Sequence, residues 1–282
     1  MGIADPENLP DFSGKLTRSS QHFGGQRHMR KFIVLIVGFL LAVLVTSCTP
    51  AAPTPPKNVV TPNFRLHHTT TTTAPRPLVL VLGATGRSLS DIYRVQNQDS
   101  YADQQGYAVA YVQAPPGSNH TWATGPNSSP GNLRDDMPYL LTQLAQIKAL
   151  VPVDASRVYI EGWSNGGFYA VRAALQRPDV FAAAGEIAGV LDVPVTTRTP
   201  VRVVHVHATR DTVIPIRGGN SALLESSLGH PVNLRNSYTE GAALPSGSIW
   251  KLVTLSGSGP GYHDYQPSAA ATFWTFFKNY RR

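Results

Sequence analysis

The stretch Glu161-Gly162-Trp163-Ser164-Asn165-Gly166-Gly167 constrains this chain more than any other. Before it, Arg157-Val158-Tyr159-Ile160 is apolar and β-branched enough for a short buried strand. After it, residues 168–175 have helical composition, and the run stops near Pro178. A serine between a strand and a helix sits on a strained turn. Its neighbours must lack bulky side chains, because strand and helix pass close on either side. Such a turn lifts the Ser164 hydroxyl clear of the sheet. It also sets the Asn165 backbone N–H beside it, at a helix N-terminus, where it can hold a developing oxyanion. The competing reading is a Gly-rich turn with a structural serine; the strand before and helix after favour a nucleophile.

Strand and helix alternate on both sides of this turn. Residues 78–82, Leu-Val-Leu-Val-Leu, form a continuous apolar run of the kind a parallel strand buried on both faces requires. A helix is expected over 90–105 with Asp91 in its first turn, then a strand over 107–112 and a break at Pro115-Pro116-Gly117. Residues 118–131 read as a polar loop with Trp122 in its middle. Residues 133–150 read as a helix with Asp135 and Asp136 early in it. Further strands are expected at 181–187, 201–207 and 249–255, a short helix at 221–228, and a closing aromatic helix at 268–280. The pattern is α/β, a mainly parallel sheet with helices on both faces and no lid domain.

A serine hydroxyl needs a base to take its proton and a carboxylate to orient that base. On an α/β-hydrolase sheet these follow in the order Ser, Asp or Glu, His, on loops after later strands. Past the strand at 201–207, the segment 209–215 holds one carboxylate, Asp211. Past the last strand, the Gly-rich segment 257–265 carries His263. Ser164, Asp211 and His263 are therefore the expected catalytic set. Asp192, after the preceding strand, is the competing acid. Asp264 points elsewhere in most backbone geometries, His120 precedes the nucleophile, and His230 lies in a surface loop. His205 and His207 alternate along one strand and read as packed core residues, since no third metal ligand of suitable spacing is apparent. Trp122, Trp163, Tyr262 and Tyr265 are candidates for a substrate pocket.

Residues 1–28 are polar and aperiodic, and read as a disordered extension or an over-extended gene start. Met29-Arg30-Lys31 and the 14 uncharged apolar residues 32–45 have the form of a signal peptide, too short for an ordinary membrane span. Residues 29–47 end in Val45-Thr46-Ser47 before Cys48, which resembles a bacterial lipobox. Cys48 is the one cysteine in the chain, so intramolecular disulfides and a Cys-based metal site are excluded and lipidation at Cys48 is expected. Residues 48–76, rich in Pro and Thr, read as an extended tether in which His67 and His68 are solvated, leaving 77–282 as the folded domain. Five of the 24 basic and three of the 17 acidic residues precede Cys48, so the remainder of the chain is only +5 and has no basic block. That argues against nucleic-acid binding and suits an anionic envelope surface.

Several stretches together resemble the family of polyhydroxybutyrate depolymerases and feruloyl or acetylxylan esterases, secreted α/β-hydrolases with a small lidless domain. They are Asp135-Asp136, Val153-Asp154-Ala155-Ser156-Arg157-Val158-Tyr159, the turn from Gly162 to Gly167, His207-Ala208-Thr209-Arg210-Asp211, and Gly261-Tyr262-His263. The resemblance implies the same catalytic trio. One turn departs from it. Where the family has Leu-His-Gly after the first strand, this chain has Leu82-Gly83-Ala84-Thr85-Gly86, so the second oxyanion donor is expected from the backbone of Ala84 or Thr85.

The expected activity is that of an extracytoplasmic, lipid-anchored serine esterase acting on a polyester, a feruloyl or acetyl sugar, or a lipid ester. No cofactor, metal or obligate protein partner is expected. The rivals are a catalytically decayed hydrolase domain kept for surface binding, and a thioesterase or peptidase on the same fold.

Overall fold

Ten strands and six helices carry the fold in the computed structural model, which describes residues 57–69, 73–125, 134–256, 263–265 and 269–282. The strands are β1 (Asn58–Val60), β2 (Phe64–His67), β3 (Arg76–Leu82), β4 (Ala108–Val112), β5 (Val153–Trp163), β6 (Ala183–Ile187), β7 (Arg202–Ala208), β8 (Gly219–Asn220), β9 (Asn233–Leu234) and β10 (Ile249–Leu255). The helices are α1 (Leu89–Gln96), α2 (Asp99–Gln105), α3 (Met137–Leu150), α4 (Asn165–Gln176), α5 (Ala222–Leu228) and α6 (Ala269–Phe277), with one 3-10 turn, Glu240–Ala243.

Eight strands form one sheet in the order β1-β2-β4-β3-β5-β6-β7-β10. Every pair from β4 to β10 is parallel, and β1 and β2 add an antiparallel edge. β3 is buried along its whole length, as its unbroken apolar run demands. Its side chains alternate between two cores. Leu78, Leu80 and Leu82 pack with Leu140, Leu144 and Ile147 of α3. Val79 and Val81 pack with Ile92 of α1, Ala102 of α2 and Phe273 and Phe277 of α6. Helices thus cover both faces, and the chain has the α/β-hydrolase fold. The parallel strands end together at the edge where β5 runs into α4, which is where such sheets place their chemistry.

The folded region starts earlier than residue 77. The expected tether over 48–76 is corrected at its C-terminal end, because β1 and β2 already belong to the sheet. Phe64 and Leu66 are buried apolar anchors. His67 and His68 are buried rather than solvated, and His67 holds Asn58 Oδ1 at 2.9 Å and Asp103 Oδ1 at 3.0 Å.

Two helix boundaries also differ from expectation. The helix expected over 90–105 is broken between α1 and α2, where Tyr111 accepts the Gln98 N–H and donates to Asp99. The helix expected from 133 begins at Met137, so Asp135 and Asp136 precede it. Asp136 is buried, pairs with Arg134 and accepts from Ala123 N at 2.8 Å. It ties a loop down instead of serving only the helix dipole. The signal segment and Cys48 lie outside the described residues, and among the described residues no helix is long and apolar enough to cross a membrane.

Candidate active site

Ser164 stands between β5 and α4 with φ 52° and ψ −121°, a backbone region that non-glycine residues avoid and that tends to persist where the surroundings over-determine it. Two glycines make the turn sterically allowed. A Cβ on Gly162 would lie 2.3 Å from the Gly166 carbonyl carbon, and a Cβ on Gly166 would lie 2.5 Å from the carbonyl oxygens of Leu82 and Gly83. The turn is fixed by Ser164 N donating to Ile187 O at 2.8 Å and Phe168 N donating to Ser164 O at 2.9 Å. At the first position of α4, the Asn165 N–H has no acceptor inside the helix.

The three residues singled out from the sequence meet. His263 Nε2 is 2.8 Å from Ser164 Oγ, and His263 Nδ1 is 2.8 Å from Asp211 Oδ2. His263 keeps 15% of its side chain exposed, whereas the Asp211 side chain has none. Trp163 Nε1 donates to the His263 carbonyl at 2.5 Å and so positions His263 from the strand that leads into Ser164. The Arg87 guanidinium sits 5.4 Å from the centroid of the Trp163 ring.

Asp211 is held as a carboxylate. Burial alone would push its pKa up. Hydrogen bonds from His207 and His263, and from the backbone of Ile214, outweigh burial and keep it well below the usual carboxylate range. Its other oxygen, Oδ1, accepts from Val213 N and Ile214 N, each at 2.8 Å. Among the described residues, the carboxylate paired with His263 is Asp211 and not Asp192.

Behind Asp211 lies a buried polar chain. His207 Nε2 is 2.8 Å from Ile214 O and 3.4 Å from Asp211 Oδ2, and His207 Nδ1 is 2.7 Å from His205 Nε2. His205 in turn faces Glu186, at 2.7 Å, and Glu240, at 3.7 Å. Burial pushes Glu186 and Glu240 each up to about 8 and brings His205 down to about 4. His205 and His207 are buried in the core, but the expectation that no further ligand-type residue lies near them does not hold, because Glu186 and Glu240 stand beside His205. The two glutamates beside them were not foreseen. Glu186 hides in an Ala-Ala-Gly-Glu-Ile strand, and Glu240 lies 35 positions after His205 in a loop, so no local spacing links them.

The turn expected to give the second oxyanion donor packs against the nucleophile turn, because Gly166 abuts the Leu82 and Gly83 carbonyls. Gly86 N donates to His120 O at 3.1 Å and Arg87 N to Ala84 O at 3.2 Å. Among the described residues, no backbone acceptor faces the N–H of Ala84 or of Thr85. His120, outside the trio, therefore acts through its carbonyl and through its ring, 2.7 Å from Gln113 Nε2, to brace this turn.

The candidate pocket aromatics divide. Trp122 is corrected: it is 1% exposed, stacks on Tyr169 at 4.7 Å between centroids, and supports the site from within the core. Trp163 is 5% exposed and holds His263. Tyr265 is half-buried against the core that holds α6. Tyr262 lies outside the described residues.

Comparison with known proteins agrees with this fold. The family model described as the prolyl oligopeptidase family matches residues 93–202. A provisionally named esterase, NocK, from Nocardia uniformis subsp. tsuyamanensis is 31% identical over 154 residues, covering 52% of this chain and 43% of that protein. Feruloyl esterase B from Neurospora crassa is 31% identical over 118 residues, covering 42% of this chain and 40% of that protein. The chain thus spans less than half the length of these curated relatives. Among solved structures, a thermostable esterase superposes with a TM-score of 0.56 at 22% identity, covering 78% of this chain and 59% of that one.

Proposed function

We propose that this chain, an esterase-like α/β-hydrolase, is a serine carboxylic-ester hydrolase tethered by lipid on Cys48 to the extracytoplasmic face of a membrane. The observation that carries the reading is the continuous contact from Ser164 Oγ through His263 to Asp211, at 2.8 Å on each side of the imidazole. His263 takes the Ser164 proton as the oxygen attacks the ester carbonyl. Asp211, already ionised, holds the imidazole in the tautomer with Nδ1 protonated and stabilises the imidazolium that forms. The tetrahedral oxyanion is received by Asn165 N–H and an N–H of Ala84 or Thr85. His263 then protonates the leaving alcohol and activates water to release the acid. No cofactor enters these steps, which require only the ester and water.

The name of one relative, feruloyl esterase B, supports a feruloyl ester as the substrate class. The match to the prolyl oligopeptidase family favours a second reading, a peptidase using the same three residues. A fluorophosphonate probe followed by peptide mapping tests the nucleophile, and p-nitrophenyl esters set against aminoacyl-p-nitroanilides test the bond. The expected result is one adduct on Ser164 and turnover of the esters alone. An unlabelled, inactive and folded protein would point to a binding domain, and anilide turnover would point to the peptidase.

A further inference from the structure

Four buried polar atoms face one another beneath the catalytic acid: both carboxylate oxygens of Glu186, Nδ1 of His205 and Oε2 of Glu240. None of the four makes a hydrogen bond of ordinary geometry. Glu186 and His205 are register partners on β6 and β7, so their side chains leave the same face of the sheet. Glu240 arrives from the 3-10 turn, held by the Leu191 N–H on its other oxygen. One ligand atom from each of the three residues falls within 4.8 Å of the others. All three residues are at most 2% exposed. The wall is closed by Gly189, where a Cβ would lie 2.5 Å from Glu186 Oε2, and by Trp250, whose ring centroid is 5.2 Å from that of His205.

Hydrogen-bond direction decides what His205 presents to this cluster. The Ile214 carbonyl can only accept, so a neutral His207 carries its proton on Nε2 and offers Nδ1 as an acceptor. His205 Nε2, 2.7 Å away, must then donate, and its Nδ1 lone pair is left turned toward the two glutamates. That is the arrangement of a metal-ligating histidine, whose second nitrogen donates to an oriented acceptor. Two glutamate carboxyl groups and an imidazole lone pair converge in one buried space, with His205 Nδ1 2.7 Å from Glu186 Oε1, and a cation that displaced the carboxyl protons would face all three.

We propose that Glu186, His205 and Glu240 form a buried site for a single divalent cation of the zinc class. One nitrogen and two carboxylate oxygens suit zinc, whereas magnesium and calcium favour all-oxygen sets. The ion would tie β6, β7 and the 3-10 turn together. Through His205 and His207 it would also fix the carboxylate of Asp211 from behind. Because the ligands are buried, the ion enters as the chain folds, and folding and binding are coupled.

The test unfolds the full chain in denaturant with chelator, refolds it with or without Zn²⁺, and reads metal content by mass spectrometry and Tm by calorimetry. About one zinc per chain is expected on refolding with Zn²⁺, with Tm several degrees above the metal-free protein and no such shift with Mg²⁺. Glu240→Gln and Glu186→Gln, close in shape to the native residues, should each lose the bound zinc and the Tm response. Wild-type protein that refolds without zinc at an unchanged Tm would overturn the proposal. So would either variant retaining a full complement of zinc. Should neither variant fold, the wild-type metal content and Tm decide alone. Neither readout depends on ester hydrolysis, so failure here leaves the esterase reading untouched.

Discussion

Asn165 grips the Trp122 peptide at both ends, its Oδ1 accepting from Trp122 N at 2.8 Å and its Nδ2 donating to Trp122 O at 3.0 Å. The residue whose backbone follows Ser164 thereby also anchors Trp122, in the segment that precedes α3. The two roles separate in Asn165→Ala, which deletes both side-chain bonds and keeps the backbone N–H. Stability should fall by about 2 kcal/mol, roughly 1 kcal/mol per buried bond, measured by denaturant unfolding. Ser164 should still react with a fluorophosphonate. Loss of labelling in a folded Asn165→Ala protein would mean that the side chain, and not the N–H, supports the oxyanion.

Glu161 sets a pH dependence of stability. Burial pushes its pKa up to about 8, against a smaller opposing effect of the bond from Gln98 Nε2 at 2.7 Å. In the folded chain it is therefore a neutral acid at pH 5 to 7, while the unfolded chain ionises above about 4.5. Its contribution is full below that lower value and is lost as pH rises toward 8, a change on the order of a few kcal/mol. Unfolding curves of wild type and Glu161→Gln at pH 5 and pH 8 check this. The variant should gain on the wild type as pH rises; a difference that stays flat between the two pH values would place the Glu161 proton elsewhere.

The meeting of Ser164, His263 and Asp211 was legible in the sequence because its signals are local or ordinal. Glycine at 162 is dictated by contacts within five residues, whereas glycine at 166 answers to the carbonyls of Leu82 and Gly83 on the neighbouring turn. Asp211 and His263 follow from strand order, with one carboxylate available in the segment 209–215 and one histidine in the segment 257–265. Less was legible where the cause is non-local. β2 shows only Phe64 and Leu66 as apolar anchors in a stretch crowded with Pro and Thr, so its place at the sheet edge is decided by pairing with β4. The Trp122 ring was ambiguous for the same reason, since its partner Tyr169 lies on α4. Glu186 and Glu240 meet His205 only once the sheet and the 3-10 turn are assembled.

The turn after β3 can be tested at single residues. Gly86 already spends its N–H on His120, which leaves Ala84 and Thr85. Ala84→Ser should be tolerated because the N–H remains. Ala84→Pro and Thr85→Pro should differ sharply, the damaging one lowering kcat by about 10²-fold or more with little change in KM. Circular dichroism must show the folds intact, because proline also restricts the preceding residue. Two folded, fully active variants would move the second donor away from this turn.

Cys48→Ala tests the address. The substitution should abolish metabolic labelling with a fatty acid and shift the protein from the membrane to the soluble fraction. A variant that still partitions with detergent as the wild type does would contradict lipidation at this cysteine.

The most direct test of the account is kcat/KM for p-nitrophenyl butyrate in Ser164→Ala, His263→Ala and the double variant, beside Asp211→Asn. Residues that act as one unit lose activity non-additively. Each single alanine variant should fall about 10⁴-fold or more, the double variant should lose little further, and Asp211→Asn should fall severely while staying folded. A folded Ser164→Ala protein with a tenth of wild-type activity, or a double variant whose losses multiply, would contradict a shared role for Ser164 and His263.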